Sequence, residues 1–439
     1  MHTNYLGIDF GTSNCTAGRL DTGGQPELLA LGANSPYLSS ALYLPWPDDF
    51  DAEDEEQKKP SLAQLLRQPD RALLGQAAHD RYSAAPLGGV FIRSPKSMLG
   101  SRLTPLQTQL YQQVCSLMLT HIHRRADQSA GHNNQHSAEF AVIGRPIHFQ
   151  GIDGSDGDAR AEALLRHAAA QAGFREVQFA YEPVAAAVEY ERTLTAEQLV
   201  LVVDIGGGTS DISLIRLGPG HARVADRSKD LLSHAGRRLG GVDMDIKLAI
   251  YGLMPLLGRG SLALNGKPLP SALFSDAVNI IDIYAQEQFY QPASAKQITQ
   301  LLEIAAEPAL VTRLQHLHQQ HLSYYLVQQA EQAKIELAEA AATQVQLDRL
   351  QSGLATVLDQ AMLDHALYVE MNGLRGLINE CVAAAGVKPD QIFLTGGASA
   401  APGVKRQLQH LLPDVPLIAG DRFGSVGKGL CTLAALHFG

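Results

Sequence analysis

The sequence has little of what marks several classes of protein. Its four cysteines, at positions 15, 115, 381 and 431, are too scattered for a disulfide framework or a zinc site, which fits a reducing compartment. Lys and Arg number 35 against 45 Asp and Glu, for a net charge of −10, and no basic stripe typical of a nucleic-acid binder is visible. No apolar run reaches the roughly eighteen residues that span a bilayer, and no basic-then-apolar segment resembles a signal peptide. We therefore expect a cytoplasmic protein without nucleic-acid or membrane partners.

What is present indicates a folded protein of more than one core. Hydrophobic residues make up 45% of the 439 residues and charged residues 18%, which is ordinary for a globular chain. This length exceeds what one compact core usually spans, so two lobes are expected. Two polar stretches, residues 47–60 and 132–136, are interpreted as exposed loops. His132 and His136 lie in the second, but no acidic or cysteine neighbours suggest a metal site there.

A glycine-rich motif in the middle of the chain carries the first chemical signal. Residues 200–214 read VLVVDIGGGTSDISL, an apolar run and an alternating stretch joined by three glycines, which predicts a buried strand and its hairpin partner. Glycines lack a Cβ, so backbone N–H groups at the tip can approach an anion closely. Asp204 and Asp211 flank the tip, and carboxylates beside a phosphate require a cation such as hydrated Mg²⁺ between them. On this segment alone, a plain glycine hairpin explains the pattern about equally well.

Two further segments favour the anion-binding interpretation. Residues 5–14 read YLGIDFGTSN and repeat the order of strand, Asp, Gly and hydroxyl residues, with Asp9 in the place of Asp204. Residues 392–399 read IFLTGGAS, again a strand that ends on paired glycines. Two similar hairpins far apart in one chain predict two similar halves that present their turns to a shared cleft.

The order and separation of these three segments resemble the actin-like ATPase superfamily. Four other segments are similar to motifs of the DnaK-type heat-shock chaperones (heat-shock protein 70 family). They are YEPVAAA at 181–187, LGGVDMD at 239–245, FIRSPKSMLG at 91–100 and EQAK at 331–334. The matches run in family order from residue 7 to residue 429. The resemblance extends to the YegD-like branch, which has the ATPase half without the usual substrate half.

The resemblance implies an α/β, actin-like ATPase fold. Two similar lobes, each with a mixed sheet and flanking helices, would enclose a nucleotide cleft. We expect residues 1–195 to form the first lobe with the N-terminal phosphate hairpin. Residues 196–439 would form the second lobe, with the second phosphate hairpin, a helical insertion at about 240–375 and the adenosine loop. No C-terminal peptide-binding domain is expected.

The resemblance also assigns roles to individual residues around ATP or ADP and Mg²⁺. Asp9 and Asp204 would hold the metal. The expected catalytic residues are Lys96, Glu182, Asp204 and Thr209. The expected nucleotide-binding residues are Gly11, Thr12, Ser13, Gly206, Gly207, Gly208, Gly240, Gly241, Glu331, Lys334, Ile335, Gly396, Gly397, Ala398 and Ala400. Without the resemblance, Lys96 would be interpreted as a surface lysine, because lysines are almost never buried.

The sequence departs from the family where the base would bind. Ile335 and Ala400 occupy the positions at which DnaK-type proteins usually place two adenine-stacking arginines. Stacking of a guanidinium on an aromatic face contributes about 0.5–2 kcal/mol. An apolar Ile335 can still cover a purine, so we expect nucleotide binding to persist with weak selectivity for the base.

The leading hypothesis is an ATP-binding and ATP-hydrolysing, chaperone-like protein whose lobe closure changes with nucleotide state. A client or partner protein would be supplied in trans. One alternative is a nucleotide-gated interaction scaffold with little or no turnover. A second is a small-molecule kinase of the same superfamily, although no sugar-binding motif is recognisable. A filament-forming relative is a further alternative that no sequence feature specifically supports.

Overall fold

The structure is a computed structural model that describes residues 4–33, 35–48, 50, 60–129, 137–149, 154–224, 226–227 and 229–439. The predicted exposed loop at 132–136 lies outside the described residues, as does most of the one at 47–60. None of the helices in the described ranges is both long enough and apolar enough to cross a membrane.

The described ranges contain both strands and helices along the whole chain. The strands are β1 (Tyr5–Phe10), β2 (Asn14–Leu20), β3 (Pro26–Leu28), β4 (Leu38–Ser39), β5 (Ala41–Pro45), β6 (Leu73–Leu74), β7 (Gly89–Arg93), β8 (Phe140–Arg145), β9 (Glu176–Tyr181), β10 (Gln198–Ile205), β11 (Ser210–Leu217), β12 (Leu231–Arg237), β13 (Ala342–Gln346), β14 (Ala355–Asp359), β15 (Gln391–Thr395) and β16 (Leu417–Ala419).

The helices are α1 (Leu62–Leu65), α2 (Gln76–Ala84), α3 (Pro105–Ser129), α4 (Ser155–Gln171), α5 (Glu182–Glu191), α6 (Gly241–Leu248), α7 (Ala272–Asp276), α8 (Ile283–Phe289), α9 (Pro292–Ile304), α10 (Pro308–Gln319), α11 (Ser323–Glu336), α12 (Gln360–Ala366), α13 (Tyr368–Ala385), α14 (Pro402–Leu411) and α15 (Ser425–Phe438). Short 3₁₀ turns occur at Pro69–Arg71, Pro95–Met98, Met254–Leu257 and Gly397–Ala400, and a π turn at Ala249–Leu253.

Two large sheets share one arrangement. In the first, the order is β3-β2-β1-β8-β9, with β4 also paired to β2. In the second, the order is β12-β11-β10-β15-β16. In each, an antiparallel hairpin (β1–β2 or β10–β11) lies beside a parallel strand (β8 or β15). The predicted α/β fold with two similar halves and mixed sheets is therefore confirmed.

A buried apolar cluster joins the two sheets at the base of the cleft. It combines Val142 of β8 and Val202 of β10 with residues of α5 and α15, among them Ala186 and Leu430. Helix α15, although it follows the second sheet in sequence, packs against β1, β2 and β8 of the first sheet. The predicted boundary between residues 195 and 196 stays a prediction. Helix α15, which lies beyond that boundary in sequence, packs against the sheet of the first half.

Opposite the base, the small sheet β6-β5-β7 and helix α2 lie against α11 of the second half. Tyr82 of α2 stacks on Phe91 of β7 at 4.7 Å, and Tyr324 of α11 meets the Phe91 ring edge-on at 4.8 Å. The Tyr82 hydroxyl also donates to the carbonyl of His321 at 2.6 Å. The two halves are thus connected on both sides of the space between their hairpins.

Candidate functional site

A cleft of about 300 Å³ lies between the two hairpins and draws residues from both halves of the chain. Its lining residues are Asp9, Gly11, Thr12, Ser13, Asn14, Lys96, Glu182, Asp204, Gly206, Gly207, Gly208, Thr209, Gly241, Asp245, Glu331, Lys334, Ile335, Gly396, Gly397, Ala398, Arg422, Phe423 and Val426. Segments that are more than 400 residues apart in the numbering therefore meet at one place. Of the residues predicted for the site, all but Gly240 and Ala400 line this cleft.

The tips of the two hairpins approach each other closely. A β-carbon added at Gly207 would lie 2.1 Å from the Ser13 hydroxyl oxygen, so a larger residue there would collide with the first hairpin. The Gly206 N–H donates to the Thr209 carbonyl at 2.9 Å, which closes the second turn. In the first turn, the Ser40 hydroxyl donates to the Gly11 carbonyl at 2.7 Å. Two turns rich in small and hydroxyl residues thus face one space, as an anion site requires.

Gly240 and Gly241 pack against the backbone of the glycine turn in the second hairpin. The Gly241 N–H donates to the Gly206 carbonyl at 2.9 Å, and the Val242 N–H donates to the Gly207 carbonyl at 2.8 Å. A β-carbon at Gly240 would lie 2.3 Å from the Gly208 nitrogen. Gly240 therefore positions the turn without lining the cleft, whereas Gly241 does both.

Lys96 enters the cleft from the turn that follows β7. Ser94 adopts a left-handed backbone conformation, with φ of 56°, and turns the chain into the 3₁₀ segment that carries Lys96. The lysine is only 5% exposed, and its ammonium forms an ion pair with the Glu182 carboxylate at the start of α5. Burial alone would lower the pKa of Lys96, but Glu182 and Asp9 outweigh it and the pKa is raised. A lysine that would by default lie on the surface is therefore held charged inside the cleft.

Several buried carboxylates lie around Lys96, so the negative groups at this part of the cleft outnumber its positive charge. Burial, followed by the charge of Glu182, raises the pKa of Asp9 to about 7. Burial and the charge of Glu182 also raise the pKa of Asp211 to about 7. The same two causes raise the pKa of Asp204, and the charges of Asp211 and Asp9 raise it further. Asp211 accepts a hydrogen bond from the Ile147 N–H at 2.8 Å, which links the two halves beside the site.

This excess of buried negative charge is what a bound cation would relieve, so the residues present fit Mg²⁺. Within the described parts of the chain, no three His, Cys, Asp or Glu side chains are grouped closely enough to hold a metal directly. Two carboxylates on opposite hairpins, Asp9 and Asp204, instead suit an ion that keeps most of its water ligands.

Helix α11 brings two charged side chains to the next part of the cleft. The Glu331 carboxylate pairs with Arg93 of β7 at 2.6 Å, and Lys334 pairs with Asp245 of α6 at 2.6 Å. Lys334 also donates to the Gly241 carbonyl at 3.1 Å. Burial would raise the pKa of Glu331, but Arg93 outweighs it and the pKa is lowered. Both side chains predicted to face a ribose thus line the cleft while holding partners of the protein itself.

The far end of the cleft differs from expectation at one residue. Ile335 lines it and is 56% exposed. Ala400 instead lines a neighbouring cavity with Ser399, Lys405 and Arg422, of which Arg422 also lines the cleft. The cleft also contains five residues that sequence reasoning did not assign to it: Asn14, Asp245, Arg422, Phe423 and Val426. Asn14 and Asp245 belong to motifs that the sequence showed, whereas the loop with Arg422 and Phe423 has no motif or periodicity to reveal it.

Comparison with known proteins agrees with this geometry. The family model described as Hsp70 protein matches residues 100–255, a segment that contains Glu182, Asp204 and Thr209. Chaperone protein DnaK of Thermus thermophilus is 25% identical over 287 residues, which cover 63% of this chain and 36% of the relative. Chaperone protein DnaK of Nitrosopumilus maritimus is 28% identical over 251 residues, covering 56% of this chain and 33% of the relative.

A Chaperone protein HscA homolog of Actinobacillus pleuropneumoniae is 24% identical over 456 aligned residues, which cover 100% of this chain and 59% of the relative. The chain therefore spans between about a third and three-fifths of the length of these relatives. The matches are distant, and the segment of the family model contains β8 and β9 of the first sheet and β10, β11 and β12 of the second. The chain is therefore similar to the Hsp70 family over residues 100–255 and to chaperones of that family more widely, and its two sheets have the arrangement of the actin-like ATPase fold.

Proposed function

We propose that the cleft binds ATP and ADP with Mg²⁺ and hydrolyses ATP to ADP and phosphate. The observation that carries this proposal is the buried ion pair of Lys96 and Glu182 between the two facing hairpins. A buried lysine is costly unless its charge is used or compensated. Here it lies where two turns offer backbone and hydroxyl groups to a phosphate chain, which is the arrangement that phosphoryl transfer needs.

The proposed chemistry depends on position and charge more than on covalent steps. The phosphate chain would lie between the turns, with hydroxyls of Thr12, Ser13 and Thr209 beside it. Asp9 and Asp204 would hold hydrated Mg²⁺, which supplies neutralising charge to the phosphates when bound. Lys96 adds a preorganised positive charge near the terminal phosphate, and with Glu182 it orients the attacking water. Such preorganised charge in a buried site is effective because little solvent has to reorganise.

We further propose a cytoplasmic, chaperone-like role in which lobe closure follows the nucleotide. The matched relatives are named as chaperones, and the chain matches only part of their length. Because those relatives are named as chaperones, a client or partner protein is part of the proposal. Membership of the YegD-like branch stays a prediction.

A nucleotide-gated scaffold with slow turnover is the second candidate. The contacts of Tyr82 and Phe91 with Tyr324, together with the Arg93–Glu331 ion pair, already connect the two halves on the side of the cleft opposite α5 and α15. A cleft connected on both sides releases its product slowly, because these contacts must break first. A small-molecule kinase has no comparable observation in its favour.

The deciding experiment is a phosphate-release assay on the purified protein, with and without Mg²⁺. Asp204→Asn should abolish release, whereas the matched control Asp348→Asn, on a turn remote from the cleft, should not. A panel of small hydroxyl and carboxyl acceptors in the same assay tests the kinase alternative. Wild-type turnover in a folded Asp204→Asn variant would contradict the proposal, and ATP binding without any release would favour the scaffold.

A further inference from the structure

Phe423 is a large aromatic residue in the lining of the cleft that the fold leaves half uncovered. Its side chain is 47% exposed and lines the same space as Ile335 and Val426. The ring covers Gly397, where an added β-carbon would lie 2.6 Å from a ring carbon. On its other side, the Tyr37 ring packs against it edge-on at 5.7 Å. The ring is therefore held between two neighbours and still presents surface to the cleft.

The turn that carries this ring is fixed by hydrogen bonds. The Asp421 carboxylate accepts the N–H groups of Phe423 and Gly424, at 3.3 and 3.1 Å, and pairs with Lys428 at 2.9 Å. The Ser425 hydroxyl donates to the Asp421 carbonyl at 2.8 Å. An exposed apolar ring on a turn with this many anchors is a preformed surface rather than a mobile side chain.

From this arrangement we propose that Phe423 is the stacking wall for the base of a bound nucleotide, with Ile335 as a second apolar wall. This inference rests on the nucleotide function proposed above and names the residue that holds the base. Neither residue is one of the arginines expected from the family, so the cleft of this chain has apolar side chains to offer a base instead. Because every base has a π-face, stacking on a ring tolerates different bases. ATP and GTP should therefore bind with affinities within a few-fold of each other.

The test separates the base from the phosphates. Calorimetric titration would compare ADP, GDP and inorganic tripolyphosphate, each with Mg²⁺, on wild type, Phe423→Ala and Phe423→Tyr. Tyr368→Ala is the matched control, because Tyr368 is an exposed aromatic residue at the start of α13, away from the cleft. Phe423→Ala should weaken ADP and GDP about 5- to 100-fold and leave tripolyphosphate unchanged. Phe423→Tyr should keep wild-type affinity.

A spectroscopic readout is independent of affinity. The chain has one tryptophan, so Phe423→Trp adds a second whose signal is obtained by subtracting that of wild type. Its fluorescence should be quenched by ADP and not by tripolyphosphate, because only ADP carries a base that can stack on the indole.

The outcomes distinguish this inference from the proposed function. Unchanged ADP affinity in Phe423→Ala, or an equal loss for ADP and tripolyphosphate, would overturn the inference and leave nucleotide binding intact. A wild-type protein that binds neither ADP, GDP nor tripolyphosphate would overturn the proposed function itself.

Discussion

Replacing Asp9 by Asn should stabilise the protein in the absence of Mg²⁺ and remove its response to Mg²⁺ with nucleotide. Asp9 is buried beside Glu182, and these two causes raise its pKa from 3.8 to about 7. A pKa difference of this size means that ionisation of the Asp9 carboxyl destabilises the native protein by about 4 kcal/mol relative to the unfolded chain. An unfolding entropy of about 2.1 cal/mol/K per residue makes this equivalent to a rise of about 4 °C in the melting temperature.

The raised pKa of Asp9 also predicts how the stability of wild type and of the Asn variant should change with pH. Because the pKa is raised in the native state, between about pH 4 and pH 7 the native protein holds more of the proton than the unfolded chain does. Wild-type stability from this group is therefore highest below about pH 4 and falls as the pH rises towards 7. The Asn variant cannot ionise, so its advantage should open above pH 4 and become constant above pH 7.

Unfolding followed by circular dichroism at several pH values, with chelator and then with Mg²⁺ and ADP, measures both effects. Glu331→Gln is a matched control of opposite sign, because Arg93 lowers the pKa of Glu331 and the neutral variant leaves that arginine buried without its partner. An Asp9→Asn variant that melts below wild type at pH 8 without Mg²⁺ would refute the reasoning. It would mean that attraction between Asp9 and Lys96 outweighs burial and repulsion.

Four other changes have expected outcomes. Lys96→Ala should lower kcat by about a hundredfold with a smaller effect on KM, measured by steady-state phosphate release; retained kcat with lost affinity would make it a binding residue. ADP with Mg²⁺ should bind more tightly as the pH rises from 6 to 8, with proton release in calorimetry, because Asp9 and Asp211 have pKa values of about 7; equal heats in buffers of different ionisation enthalpy would contradict this. Arg93→Ala should speed the release of fluorescent ADP in stopped flow, and an unchanged rate would show that this ion pair does not limit opening. Ile335→Arg should tighten ATP about 2- to 30-fold in titration by adding a stacking guanidinium, whereas weaker binding would indicate a clash.

The hairpins could be predicted from the sequence because their signal is local. An apolar run, a glycine turn and a carboxylate lie within about fifteen residues of each other, and both hairpins form where this pattern stands. Lys96 is different, since nothing in its own neighbourhood predicts burial. Its position became predictable only through the resemblance of residues 91–100, and the structure places it against Glu182.

Contacts between distant segments could not be predicted from such patterns. Helix α15 is apolar along much of its length, but no sequence feature says that it packs on β1 and β8. Ala400 is a second example. The resemblance predicted that it would lie beside the base, whereas in the structure it ends the 3₁₀ turn Gly397–Ala400 and lines a neighbouring cavity. The loop with Phe423 reaches the cleft because β16 pairs with β15, a relation that emerges only in three dimensions.

The contacts between α11 and the β5–β7 sheet, on the side of the cleft opposite α5 and α15, determine what a nucleotide cycle would have to change. Opening the cleft there would separate Arg93 from Glu331 and pull the ring of Tyr324 away from Tyr82 and Phe91. Aromatic pairs contribute about 0.5–1.5 kcal/mol each beyond their buried area, so separating the two pairs of Tyr324 costs about 1–3 kcal/mol even when water can solvate the separated charges. A ligand shifts such an equilibrium only by its differential affinity for the two states. Under the proposed function, a nucleotide held by both hairpins would favour the closed state further. Nucleotide loss and lobe opening would then be one slow event, and a partner that speeds it would have to bind the open form more tightly than the closed one.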